Sequence, residues 1–317
     1  MRTSYIYAVI IYLGVATYIL NLSFLSLITL DQVRVIENVT DIEVLGIPIF
    51  ITLFPVLIPI PLTGMELAIL LTTLYTLFAI YDLIRKVDGE RPLKQVFVLG
   101  TVVLVTSILI ELIQSSIGIE TGMLEAENQY IFFLGAMNAP LSEEIGFRVF
   151  IIGLASLIIY LIRAREFNIV EAFISLVEPY KIHNDKTVIY TLYKLVVIQA
   201  VLFGFAHLLG GGGWDIGKVT TASIAGLYLG YLFVKYGVTS AVLGHSYFNI
   251  YLLTLSFMNY VGVNVGNSYM VVYADTLFIY LLLFGSVYLL IYLYRFVKPR
   301  DNGEENDIWS NIDYQTI

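Results

Sequence analysis

The sequence predicts an all-α, polytopic transmembrane helical bundle of about eight spans, and three observations carry that prediction. The 317 residues are 58% hydrophobic and only 13% charged, where soluble domains are usually about one-quarter charged. The apolar residues fall in long runs near the roughly 20 residues that cross a bilayer as a helix. The charges sit in short clusters between those runs. Mean hydropathy is +0.84. The runs are continuous rather than alternating, which excludes a barrel and leaves helices that satisfy their own backbone. The absence of cysteine excludes disulfides and thiolate metal sites. An acidic balance with no basic patch excludes a nucleic-acid partner.

In chain order the spans are expected at Tyr5–Leu30, Gly64–Leu83, Val96–Ile119, Ile131–Ile162, Val188–Leu209, Val219–Val234, Val238–Phe257 and Val272–Val297. The first run is too long for a signal peptide and has no A-x-A-like cleavage site, so it counts as a span. Ile47–Pro61 is also apolar, but Pro48, Pro55, Pro59 and Pro61 spoil it as a regular helix. It is expected as an interfacial or re-entrant segment. Phe167, Val170, Ile174 and Val177 recur at helical spacing, which predicts an amphipathic surface helix between the fourth and fifth spans. Gly210–Gly213 reads as a flexible outer turn. The tail Asp301–Ile317 is acidic and expected to be disordered.

Loop charges give an orientation. Arg85, Lys86, Arg91 and Lys94 share one loop, and Arg163, Arg165, Lys181 and Lys186 share another. Lys235 lies in a third, and Arg295, Lys298 and Arg300 lie at or after the last span. The alternate loops, 31–43, 120–127 and 258–270, are acidic or neutral. With eight spans all the basic loops fall on one side, which the positive-inside rule makes cytoplasmic, and both termini with it. Lys218 is the exception.

An ionisable side chain at mid-bilayer costs roughly 2.5–3.5 kcal/mol, so each one within a span needs a reason. They concentrate in three places. Ala139-Pro140-Leu141-Ser142-Glu143-Glu144-Ile145-Gly146-Phe147-Arg148 places two carboxylates and a guanidinium inside one apolar run. Glu144 and Arg148 are four apart and share a helix face. Glu143 lies about 100° around the helix, outside that pair. Pro140 suits a helix's first turn, where the dipole favours carboxylates. Phe203-Gly204-Phe205-Ala206-His207 ends the fifth span, and His245-Ser246-Tyr247-Phe248-Asn249 lies in the seventh. A lone membrane histidine is more often an interhelical hydrogen-bonding group. A spare carboxylate, two imidazoles and an amide on three spans make a hydrolytic set instead.

Other features stay structural. Gly212–Thr220 misses a phosphate-binding loop, because Val219 stands where Ser or Thr is needed and a membrane helix precedes it. Tyr81-Asp82 has no G-x-G-D partner, and no H-E-x-x-H occurs. Glu111 lies near the outer end of the third span and is unassigned. His183 sits in a polar loop and is expected to be solvated.

Glu143-Glu144-x-x-x-Arg148, Phe203-x-x-x-His207 and His245-x-x-x-Asn249, in this order, resemble the CPBP (Abi) family of intramembrane proteases, which includes the type 2 CAAX prenyl endopeptidases. The resemblance covers Pro140 to Leu252; Val149 departs from the glycine that often follows the arginine. It implies a bundle of about eight helices with a polar cavity inside the bilayer, and hydrolysis of peptide bonds in membrane-associated proteins or peptides, prenylated CAAX-type substrates among them. By the matching positions Glu143 is the general base, His207 holds the water with it, and His245 and Asn249 donate to the oxyanion. Glu144 and Arg148 brace the site. No cofactor is required by that glutamate mechanism. The alternative is a zinc enzyme with Glu143, His207 and His245 as ligands.

The expected organisation is N-terminal helices over 1–130, a protease-like core over 131–257, a last transmembrane helix within 258–300 and the tail 301–317. The expected partners are the lipid bilayer and a membrane-associated protein or peptide substrate. Two other classes compete: a non-catalytic membrane scaffold or immunity-type protein of the same fold, and an ion-coupled transporter using Glu143 and Glu144 as a proton relay. No repeated half supports the transporter.

Overall fold

The computed structural model describes residues 2–297, apart from 45, 52–53, 124–127 and 211–212. The expectations for the tail, for Lys298, Arg300 and Glu127, and for Gly211 and Gly212 lie outside the described residues. Helices dominate. α1 (Arg2–Leu20) runs through a π-helical segment, Asn21–Leu25, into α2 (Ser26–Ile36). Short strands β1 (Glu43–Val44), β2 (Ile47–Ile51), β3 (Phe54–Ile58) and β4 (Leu62–Thr63) lead to α3 (Gly64–Ile84) and α4 (Pro92–Ser116). α5 (Gln129–Glu144) continues through the π-helical segment Ile145–Gly153 into α6 (Leu154–Arg163). The surface helix α7 (Ile169–Val177), then α8 (Lys186–Leu209) and α9 (Ile216–Tyr236), follow. α10 (Val238–Ser246), the π-helical segment Tyr247–Leu252 and α11 (Leu253–Asn264) form one rod, and α12 (Ser268–Val297) closes the bundle.

Local chemistry starts these helices where they start. Thr63 and Glu66 form a reciprocal capping box at α3, Pro92 occupies the first turn of α4, and Asn128 accepts from the Ile131 amide at α5. Each expected span falls on one of these rods. Among the described residues, six stretches are long and apolar enough to cross a membrane: Tyr5–Ile36, Gly64–Ile84, Pro92–Ser116, Gln129–Arg163, Lys186–Leu209 and Ser268–Val297. The expected sixth and seventh spans form α9 and the rod 238–264, which do not meet that measure. Both are interior: nearly all of α10 and about half of α9 are buried by other helices. Their positions go to Gly, Ser, Thr, Tyr, His and Asn, which pack against protein rather than lipid.

Ile47–Pro61 forms no helix, as its prolines predict, and contains a hairpin. β2 and β3 pair antiparallel, with Ile47 opposite Ile58 and Ile51 opposite Phe54, and the hairpin rests on α5 and the π-helical segment after it. Pro48 and Pro55 bar a helix but are tolerated in an edge ladder. The amphipathic surface helix is present as α7. It turns Ile169, Val170 and Phe173 outward and packs its small face, Ala172 and Ser175, inward.

α10 is the hub, touching α3, α4, α5 and α9. Gly237, at φ +90°, makes the tight turn into it. Asp82, fully buried, accepts from Thr239 Oγ1 at 2.9 Å and from the Ser240 hydroxyl, and pairs with Arg85 at 2.8 Å. The Tyr81-Asp82 dipeptide therefore anchors the start of α10. Tyrosine hydroxyls tie neighbouring rods together by donating to backbone carbonyls: Tyr18 to Leu243 at 2.6 Å and Tyr228 to Val96 at 2.7 Å. α8 and α9 meet almost backbone to backbone. A Cβ on Gly204 would lie 2.5 Å from the Val219 carbonyl oxygen, and one on Gly226 2.9 Å from the Ala200 Cα.

His183 corrects an expectation. It is buried, not solvated, with Nε2 2.9 Å from Ser156 Oγ. The Ser156 hydroxyl gives its one proton to the Ser175 carbonyl at 2.6 Å, so the imidazole donates to it. Burial lowers the His183 pKa from its ordinary 6.5.

Candidate active site

Glu143 and Glu144 are the last two residues of α5. Pro140 lies inside that helix, not in its first turn, so the helix-start account of the carboxylates is overturned. The proline removes one backbone donor and loosens its turn. Hydroxyls take up carbonyls there: Tyr75 donates to Met137 O at 2.8 Å, and Ser142 to Asn138 O at 3.3 Å.

The two carboxylates have different surroundings. Glu144 is fully buried, and its Oε1 receives Arg148 Nη1 at 2.9 Å and His245 Nδ1 at 2.8 Å. Arg148 is equally buried, and its guanidinium lies 4.3 Å above the Phe203 ring centroid. Glu143 keeps 23% side-chain exposure, and its Oε2 lacks any hydrogen-bond partner. That oxygen is 3.8 Å from His245 Nε2. Asn249 Nδ2 lies 3.2 Å from the same nitrogen. His207 Nδ1 is 2.9 Å from the Phe203 carbonyl, which can only accept, so Nδ1 carries a proton and Nε2 is left to the cavity.

Phe203 organises the pocket from its centre. Its ring makes edge contacts with Phe147, His207 and His245 at centroid distances of 5.1, 4.8 and 5.9 Å. Two of the three π-helical segments occur here, one directly after Glu144 and one carrying Asn249. Such wide turns are frequent at functional sites.

Glu143, His207, His245 and Asn249 line one cavity of about 620 Å³, whose walls include Leu104, Ile108, Phe132, Phe248 and Leu252. The structure brings Glu143, His207 and His245, from three different rods, onto this one space. The cavity also takes in Glu111, Trp214 and Lys218. Sequence reasoning left these out, although Glu111 inside an apolar span and Lys218 against the charge rule were the signals. Among the described residues, no group of three or more His, Asp or Glu is placed to hold a metal ion.

Such a bundle, with one carboxylate and two imidazoles lining a cavity among its helices, defines a polytopic membrane protein. Residues 126–251 match the family model described as Type II CAAX prenyl endopeptidase Rce1-like. Over that segment the chain belongs to the CPBP/Rce1-like family of CAAX membrane proteases. No curated protein and no solved structure matches the chain.

Proposed function

We propose that this chain is an intramembrane endopeptidase that cleaves membrane-associated substrates with a water activated by Glu143. The carrying observation is the contrast between adjacent carboxylates: Glu144 is engaged by Arg148 and His245, while Glu143 presents an unpartnered oxygen 3.8 Å from His245 in an apolar-walled cavity. A carboxylate oxygen left free on a cavity can take a proton from water. Water donates one proton towards Glu143 and the other to His207 Nε2, and its oxygen attacks the peptide carbonyl. The oxyanion that forms is met by the Asn249 amide, which in the free site donates to His245 Nε2 at 3.2 Å, and by the His245 ring, whose Nδ1 donates to the Glu144 carboxylate. Glu143 then passes its proton to the leaving amine.

The basic loops put the termini on the cytoplasmic side, and the ends of α4 and α8 that border the cavity on the opposite side. The test is cleavage of a membrane-anchored peptide in proteoliposomes by wild type and Glu143→Gln. A loss of about 10²-fold or more in kcat is expected. Equal cleavage by both overturns the proposal.

A further inference from the structure

α4 and α12 press together where Gly285 meets Thr101: a Cβ at Gly285 would collide with the Thr101 carbonyl oxygen. Nearer the basic ends of the two helices a cleft lies between them, away from the catalytic cavity. Lys94, in the first turn of α4, and Arg295, in the last turn of α12, both line it. No acidic residue is among those lining it. Among the described residues neither cation is in an ion pair. Two free positive charges that share one cleft repel each other until an anion joins them.

Two neutral side chains of the same cleft point to that anion independently. Gln95 is 2% exposed and Tyr288 4% exposed, and neither Gln95 Oε1 nor the Tyr288 hydroxyl has a hydrogen-bond partner. Buried polar groups are ordinarily paired, so two orphans facing one space call for a polar guest. The enclosed space is about 20 Å³, room for one oxygen-sized group. A lone water would satisfy the two neutral groups but leave both cations unbalanced. An anionic oxygen answers all four: it accepts from the Tyr288 hydroxyl, it accepts from the Gln95 carboxamide once a half-turn brings the NH2 onto the cleft, and its charge offsets Lys94 and Arg295.

We propose that this cleft binds the phosphate of an anionic phospholipid, drawn from the leaflet at the basic ends of the helices. One phosphate oxygen enters the space between Gln95 and Tyr288, and the rest of the headgroup stays at the mouth with Lys94 and Arg295. The source is a lipid because of where the cleft lies. Tyr288 precedes Arg295 by seven residues, about 10 Å along the helix, so the site descends from the interface into the apolar part of the bundle. The flank of α12 beside it, Leu290, Leu293 and Phe296, is exposed and apolar, which suits the acyl chains of the same molecule. Basic pockets between helices on the cytoplasmic side of a membrane are suited to anionic headgroups, which concentrate in that leaflet. A zwitterionic choline headgroup is disfavoured, since its ammonium meets two cations.

The test titrates the delipidated, detergent-purified full chain with phosphatidylglycerol or phosphatidylcholine of the same acyl chains. Bound lipid is counted by native mass spectrometry, with thermal unfolding as the fold control. Wild type is expected to hold one phosphatidylglycerol about tenfold or more tighter than phosphatidylcholine. The double variant Lys94→Gln/Arg295→Gln loses that preference. Lys186→Gln/Arg165→Gln, which removes the same charge from exposed positions elsewhere on the basic side, keeps it. Tyr288→Phe leaves ring and charges in place and weakens phosphatidylglycerol about threefold or more, the loss of one hydrogen bond. Equal binding of the two lipids by wild type overturns the proposal, as does a preference that survives Lys94→Gln/Arg295→Gln or an unchanged affinity in Tyr288→Phe. A matched loss in Lys186→Gln/Arg165→Gln reduces the effect to general surface charge and overturns the site. Displacement of the lipid by equimolar inorganic phosphate assigns the cleft to a free anion and overturns the lipid reading.

Discussion

Nδ1 of His245 lies 2.8 Å from Oε1 of Glu144, the oxygen that also receives Arg148 at 2.9 Å. One buried carboxylate thus fixes an imidazole from α10 and balances a guanidinium from its own helix. The brace is a three-part relay of position, in which Arg148 holds Glu144 and Glu144 holds His245.

Breaking that relay at Glu144 has two separable effects. Glu144→Leu strands a fully buried guanidinium, at a cost of about 3–5 kcal/mol. It therefore lowers the thermal unfolding temperature and abolishes cleavage. Adding Arg148→Met removes the stranded charge and restores much of the unfolding temperature. Cleavage stays lost, because His245 has no carboxylate to orient it. Recovery of activity in the double variant contradicts the relay.

Asn249 sits where it can steady an oxyanion but joins no ion pair. Asn249→Ala is expected to lower kcat about 10²–10³-fold with little change in KM. Steady-state kinetics on one membrane-anchored peptide decide it. A change confined to KM points to substrate binding instead.

On the proposed side-chain mechanism, incubation of the purified protein with a zinc chelator followed by dialysis is expected to leave cleavage at its starting rate. Activity lost to the chelator and regained with zinc assigns Glu143, His207 and His245 to a metal.

His183 gives the fold a pH dependence. Burial lowers its folded-state pKa below the ordinary 6.5. Below about 6.5 the unfolded chain takes up a proton that the folded protein does not, so stability is lost as pH falls from there towards the folded-state value. His183→Gln removes this contribution. Thermal unfolding at pH 7.5 and pH 5.5 is expected to show a larger acid-induced drop for wild type than for the variant. Equal drops remove His183 from the account.

Because the sequence holds no cysteine, single substitutions report topology directly. Lys86→Cys marks the basic end of α3, and Ser116→Cys the far end of α4. A membrane-impermeant maleimide applied to intact cells is expected to label Ser116→Cys and spare Lys86→Cys. The reverse pattern inverts the orientation.

The helices were legible because burial in lipid writes long apolar runs into a chain, and each of the eight expected spans falls on a helical rod. The i, i+4 pairs were legible too, since Glu144 with Arg148, and His245 with Asn249, need only helical spacing. What escaped depends on distance in sequence. Glu144 and His245 are 101 residues apart and nothing local announces their contact. The prolines of Ile47–Pro61 ruled out a helix without saying that Ile47 faces Ile58. His183 looked solvated because its neighbours are polar, yet its cover comes from Ser156 on another helix. The π-helical segments leave no pattern, as their residues are as apolar as those of an α-helix.

Those wide turns make chain length itself a constraint. Dropping a single residue between Ile145 and Arg148 without a change of winding swings the part after it by about 100° against the part before it. Arg148 is carried off the face of Phe203 while Glu143 stays in place, so a deletion harms this stretch more than most exchanges of one apolar side chain for another. Relatives that keep the chemistry should align across it without gaps.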